Sequence, residues 1–498
     1  MAVGQAKATI QAVKKETTAG VYVAPSVGTD FIAIRPGAEL ALEPELVDNE
    51  ELVGDIGISK KINVGEATTG SNPAYLRHSG IEGQEPQIGL FFESLLGSKY
   101  VVATEQSAAA SSTVSIVRVG TGLGANFRQG QALLVKKNGG FEVANIASIS
   151  GDNLTLAFNL NSAPALGTKL GKACLYSPAS SGHPTFSITK YLGNDYAIEA
   201  SAGNTVTEAA ITMGAKGLGN VEFSFAGTKY FYNPITITAT SKFLDVTDDT
   251  GTFAVSVEEK TYKSPIELAE ALNAALTVAS TETYTVSYSN TTGKFTIASG
   301  STVLSLLWLT GANSANSIGA KLGFVTTAND TGAVSYTSDN AQVYSSSITP
   351  SYDSTDAIVV KGAELNIGTQ EDNLCICAQS VSVTISKEVE DVNCVCEETG
   401  VKEKIATGRT VTMEVAATLK KYDVELLSAL LKNEGISAAM TCGPKSGGNF
   451  VGGKCFNVYM QKATVSAFTT SGESFLQVNF TLEGYVTATE KDVYVNFI

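Results

Sequence analysis

The sequence predicts a mainly β chain: two β-sandwich modules, each with one flanking α-helix, plus an inserted small β-barrel and an inserted α+β domain. Three observations predict it. The 498 residues include 47 glycines and only 12 prolines, with Thr, Ser and Val recurring throughout, a composition of strands and tight turns. One block of sequence occurs twice at matched spacing. Short alternating segments bounded by Gly and Asn fill the stretches that interrupt or separate the copies.

The repeat reads Glu45-Leu46-Val47-Asp48, Gly57-Ile58, Lys61-Ile62 and Gly65 in its first copy. In the second it reads Glu388-Val389-Glu390-Asp391, Gly400-Val401, Lys404-Ile405 and Gly408, with no gap in either. Each copy continues into an apolar helical stretch, 88–96 and 424–431, and closes on a similar strand, Val221–Gly227 and Val478–Gly484. In the second copy Val381, Val383 and Ile385 alternate on one strand face, as Val411, Met413 and Val415 do on the next. Asp423 is placed to N-cap the second helix, with Gly435 beyond its end.

The first copy is interrupted. Residues 99–175 carry short strands around 114–117, 132–135, 141–144 and 154–158, with turns at Asn138-Gly139-Gly140 and Gly151-Asp152-Asn153, which predicts the small barrel. Residues 1–98 and 176–232 then form the first module. Residues 233–347 predict the α+β domain. Ser264, Pro265 and Glu267 form a helix start with a capping box, and Ile266, Leu268, Ala269, Leu272 and Leu276 share a helical face. The strands around 284–288 and 294–297 form a hairpin across Asn290–Gly293, and residues 348–498 make the second module.

Charge and chemistry narrow the function. The net charge of −15 argues against wrapping a phosphate backbone, which requires clustered cations. The N-terminus lacks the basic and apolar pattern of a secretory signal, and no apolar run approaches the ~20 residues of a membrane helix. With seven cysteines, synthesis in a reducing cytoplasm is expected. His78 and His183 lack the neighbours of a catalytic triad. Cys375 and Cys377, with Cys394 and Cys396, could form a four-sulfur set if on neighbouring strands, although the one-residue spacing departs from structural zinc sites; buried thiols or later disulfides are the alternatives. Gly120–Gly124 lacks the Gly-Lys-Ser/Thr ending of a phosphate loop, and Asp248-Asp249 and Glu397-Glu398 lack the ligand spacing of a calcium loop. No cofactor, metal or enzyme activity is expected.

A β-sandwich with one flanking helix and a long acidic loop between early strands resembles the tail tube protein of long-tailed (siphovirus-type) bacteriophages, here in a duplicated-module form. The segments that carry the likeness are Glu388–Gly408, Asp423–Leu431, and the pair Lys462–Val465 and Leu476–Phe480; neither inserted domain belongs to it. The resemblance implies a structural virion protein, a major tail tube subunit in stacked six-position rings around a DNA-conducting channel. With two modules per chain, three chains would fill one ring. It implies partners: further copies of the chain, tape measure, tail terminator and baseplate proteins. DNA would pass through the lumen without specific binding, past a wall expected to carry an excess of carboxylates. The long loops, with Glu45, Asp48, Glu50 and Glu51 in one and Glu388, Asp391, Glu397 and Glu398 in the other, are candidates for contact between rings. The inserted domains would project outward, as spacers or for weak contact with host-surface glycans. The expected location is the virion tail, after synthesis in the host bacterial cytoplasm. The alternatives are a carbohydrate-binding surface adhesin and a baseplate or tail-completion protein of the same fold.

Overall fold

The computed structural model describes residues 6–26, 28–51, 60–102, 104–193, 196–342, 348–370, 373–418, 432, 435–471 and 477–498. The chain is mainly β and forms two compact units. One comprises Met1–Gln11, Ile188–Ser201 and Lys229–Thr349; the other comprises Ala12–Ser187, Ala202–Thr228 and Pro350–Ile498.

The larger unit is organised by eight strands: β1 (Glu39–Val47), β2 (Ile62–Tyr75), β3 (Ala197–Gly214, which belongs to this unit from Ala202), β4 (Asn220–Gly227), β5 (Ala378–Asn393), β6 (Val401–Thr418), β7 (Phe456–Ser471) and β8 (Gln477–Gly484). They pair antiparallel in the order β1-β2-β4-β3-β5-β6-β8-β7. The order is one four-strand pattern used twice, and the registers match residue by residue. In the first hairpin Glu39, Leu40, Ala41 and Leu42 face Ser71, Gly70, Thr69 and Thr68. In the second, Ser382, Val383, Thr384 and Ile385 face Glu414, Met413, Thr412 and Val411. Glu45 faces Gly65 as Glu388 faces Gly408, and a bulge follows each glutamate. The later strands agree too: Val206 opposite Phe225 corresponds to Val465 opposite Leu482, each followed by a bulge.

Residues 388–408, expected as a loop, are therefore the outer part of a hairpin whose arms stay paired to Asn393 and Val401. No single buried face imposes a clean two-residue alternation on these partly exposed arms, so periodicity could not reveal them. The Asp423–Leu431 helix and its predicted cap lie outside the described residues.

Strand β7 turns the sheet into a second layer. Its first half pairs with Ile436–Cys442 and Tyr494–Phe497. Tyr494–Phe497 continues to Cys174–Pro178, which pairs with Gly97–Val101. Helix α1 (Gly89–Leu96) contacts both layers and ends at Gly97, whose left-handed φ of 92° suits a residue without Cβ. Phe91 packs on Phe223 of β4 at 4.9 Å, while Phe92 meets Phe223, Phe456 and Phe497. Burying such rings stabilises by about 1.5–3 kcal/mol each.

Residues 106–170 build a small sheet with its own core of Val117, Phe127, Leu133, Ile146 and Leu154. The hairpin Lys445–Ser446 and Asn449–Phe450 extends that sheet, which the sequence did not suggest. Buried Asn145, Asn457 and Asn496 hydrogen-bond one another where the sheet meets the second module, which satisfies polar groups that would be costly alone.

In the smaller unit, helix α2 (Pro265–Ala279) starts at the expected N-cap, with Glu267 N–H donating to Ser264 Oγ at 3.2 Å. The Glu267 carboxylate accepts from the N–H of Lys263, the residue before the cap, a capping box displaced by one residue. Leu268, Ala269, Leu272 and Leu276 are buried with Phe295, Ile297 and Trp308, whereas Ile266 is 45% exposed and not on the core face. The expected hairpin spans Tyr284–Ser289 and Lys294–Ser299.

Candidate assembly interface

The two modules meet along an internal seam. Strand β3 pairs with β5 from Glu208 opposite Ser386 to Gly214 opposite Ser380. Ile385 on β5 and Ala209 and Ile211 on β3 are each 0% exposed there. The seam leaves two edges. Among the described residues β1 pairs only with β2, and β7 beyond Ala463 pairs only with β8. Leu42, which occupies the place of Ile385, is 45% exposed, and Leu46, Val47, Ile62 and Val64 beside it are also exposed. An apolar strand edge of this kind is a template for another strand.

The sheet face opposite α1 is polar, and its charge has one sign. Alternation from the buried residues of β4 and β3, carried to β1 through the paired registers, places Glu39, Glu43, Glu45, Glu222 and Glu208 on this face in the first module. Glu388, Glu414 and Glu483 follow in the second. Around them the face carries mostly Ser, Thr, Asn, Ala and Gly, with Pro73, Tyr75 and Gln477. Among the described residues within these ladders no Lys or Arg alternates into it, and Lys462 lies one residue past the end of the β7–β8 ladder. Thr69 Oγ1 donates to Glu43 at 2.6 Å and Ser386 Oγ donates to Glu208 at 3.0 Å. A side chain at position 65 or 408 would collide with the carboxylate of Glu45 or Glu388, so each glycine gives its glutamate room to lie across the sheet.

Beneath the seam lies a cation the sequence did not advertise. Lys387 Nζ donates to Ser94 O in the last turn of α1 at 2.8 Å and to Thr205 Oγ1 at 2.6 Å. Burial pushes its amine down to about 7. His183 Nδ1 is 3.0 Å from the same carbonyl, and burial also lowers that imidazole. The helix C-terminus favours positive charge, which offsets part of the burial cost.

The expected inter-ring residues separate by position. Glu45 and Glu388 lie on paired strands. Asp391 is bridged to Lys404 at 2.5 Å and Asp48 to Lys61 at 3.0 Å. Glu50, Glu51, Glu397 and Glu398 lie in the segments beyond the hairpin arms. The tip of the second hairpin lies near the first module, with Thr399 O 3.0 Å from where a Cβ on Gly65 would sit. Cys375, Cys377 and Cys396 are exposed and Cys394 is partly buried, and no group of three or more metal-holding side chains occurs among the described residues.

Other motifs have local explanations. Gly124 allows the close approach of Gly151 O, which would lie 2.0 Å from a Cβ, while its N–H donates to Asp152 at 3.1 Å. Asp248 accepts from Ser280, Thr250 and Tyr284, and Asp249 accepts from Thr302. His78 is fully buried, its Nδ1 accepting from Gly80 N–H at 3.1 Å, and burial lowers its pKa to about 4. No helix among the described residues is long and apolar enough to cross a membrane.

The family model described as phage tail tube protein matches residues 6–262. The chain belongs to the phage tail tube family. As a tail tube protein it is a structural component of a virion tail, and its class is not enzymatic. The second module lies beyond the matched residues; its kinship with the first rests on the shared registers. Among solved structures, a chain from the "virion of native gene transfer agent (GTA) particle" is similar at 12% identity, over 25% of this tail tube chain and 92% of that one, with a TM-score of 0.18. No curated protein matches.

Proposed function

We propose that this chain is the major tail tube subunit, that three copies close a ring of six module positions, and that stacked rings enclose the channel through which DNA leaves. The observation that carries this reading is the internal seam. Two modules of the same register already stand side by side in one sheet, as neighbours in a ring would, and among the described residues an unpaired edge remains at each end. Closure by like contacts completes a symmetric ring and removes the exposed edges.

The polar face becomes the lumen wall in this arrangement. Its glutamates repel phosphate and give DNA no cation to hold, which supports passage without specific binding. Asp48, Glu50, Glu51, Asp391, Glu397 and Glu398, toward the hairpin ends, remain our candidates for contact between rings, whereas Glu45 and Glu388 also fit the wall. Residues 99–175 and 233–347 are proposed as insertions on the outside of the tube. Tape measure, terminator and baseplate proteins are the expected partners, after synthesis in the host cytoplasm.

Quantitative mass spectrometry of purified virions tests this. A tube subunit occurs in many copies, always in multiples of three per ring; a handful of copies per particle would assign the chain to the baseplate or to tail completion.

A further inference from the structure

The proposed ring requires a seam between chains, and the fold already contains a template for its residue pairing. The paired registers make Ala467 the counterpart of Glu208, Phe468 of Ala209 and Thr469 of Ala210, because each follows the same bulge opposite β8 or β4. On the other side Glu43, Leu42 and Ala41 are the counterparts of Ser386, Ile385 and Thr384. We propose that β7 of one copy pairs antiparallel with β1 of a second copy in the register of the internal seam. Ala467 then faces Glu43, Phe468 faces Leu42 and Thr469 faces Ala41. This deepens the ring reading and rests on it.

Three observations favour this register. The first is burial: Ile385 is 0% exposed under the internal seam, while Leu42 at the same place is 45% exposed and Phe468, which this register sets opposite it, is partly exposed. A slip by one residue would turn Leu42 onto the carboxylate face and Glu43 onto the core side. The second is Pro44. It occupies the position of Lys387, one residue past the end of the internal ladder at Glu208 and Ser386, so its missing N–H takes nothing from the new ladder. The third is charge. The internal seam sets Glu208 opposite Ser386, and the proposed seam sets Glu43 opposite Ala467, so neither register brings two carboxylates face to face.

Assembled tubes carrying paired cysteines test the register. Ala41→Cys with Thr469→Cys should give a disulfide between chains, located by mass spectrometry of the joined peptides. Ala210→Cys with Thr384→Cys, the equivalent internal pair, is the positive control within one chain. The shifted pairs Ala41→Cys with Ala467→Cys and Ala41→Cys with Ser471→Cys should link poorly, since such diagonal positions are about 7–8 Å apart in the backbone, beyond the usual reach of a disulfide. Tubes in which a shifted pair links better would overturn the register and leave the ring reading intact. If the unmodified chain forms no tubes, both fall. Leu42→Asp gives a readout independent of cysteine chemistry. The single chain should keep its melting midpoint, because the position is already half exposed, and tube formation should be lost; tubes from Leu42→Asp would also overturn the seam.

Discussion

Ser386 of β5 donates its hydroxyl to the carboxylate of Glu208 on β3 at 3.0 Å, directly across the strands that join the two modules. The pair belongs to the polar face, so the glutamate series of the first module continues into that of the second without a break. One chain thus contains both a module and a worked example of how a module meets its neighbour.

If the glutamate face lines the channel, reversing its charge should slow DNA and leave the fold intact. Glu222→Lys with Glu414→Lys changes two exposed positions, so stability should move by no more than about 0.5 kcal/mol each. Tubes should form, and the rate of DNA release from virions carrying the variant should drop. An unchanged release rate would remove the face from the lumen.

Lys387 should give the seam a pH dependence. Its amine is held near 7 in the folded chain against an ordinary 10.5, so between those values the unfolded chain binds more protons. Stability from this group therefore rises as pH rises from about 7 toward 10.5, and the full cost of a buried cation is present below 7. Lys387→Met should lose that slope. Urea unfolding at pH 7 and 9.5 should show the wild type gaining on the variant by on the order of 2–3 kcal/mol; parallel profiles would contradict the assignment.

His78 should act at acid pH. Its pKa is depressed to about 4, so between about 4 and 6.5 the unfolded chain binds the extra proton. Stability should fall as pH drops through that window, and His78→Gln should flatten the fall. Melting midpoints of both proteins from pH 4 to 7 check this; equal slopes would count against it.

Phe92 should be costly to truncate. It is fully buried and its ring lies 5.0 Å from Phe223 and 5.8 Å from Phe497, which belong to different sheet layers. Phe92→Ala should destabilise by about 3–5 kcal/mol in denaturant titration. A loss below about 1 kcal/mol would mean that the helix is not the packing centre.

Much of this was legible in the sequence, and the reasons differ by element. The Glu45 and Glu388 blocks share spacing because hairpin register and bulge position depend on local residues. Val381, Val383 and Ile385 announced their face because burial on one side enforces a two-residue period. The kinship of β3 with β7 was harder to see: one borders insertions the other lacks, and Thr205-Val206 against Thr464-Val465 was the only short signal. Lys387 was unreadable, since nothing in an alternating strand says that the next buried position holds a cation aimed at a helix end 293 positions away. The carboxylate face was readable only in part: Glu45 and Glu388 stood in the repeat, but Glu222, Glu414 and Glu483 join them only once the strands are in register.

The number of chains per ring decides between a tube of two-module chains and one of single-module positions. Tubes assembled from the purified chain, or tails from virions, should be reconstructed by electron cryomicroscopy. Hollow rings with three-fold symmetry are expected, each chain filling two neighbouring module positions. Six chains per ring, or purified chain that stays monomeric and is absent from the tails, would contradict the three-chain ring.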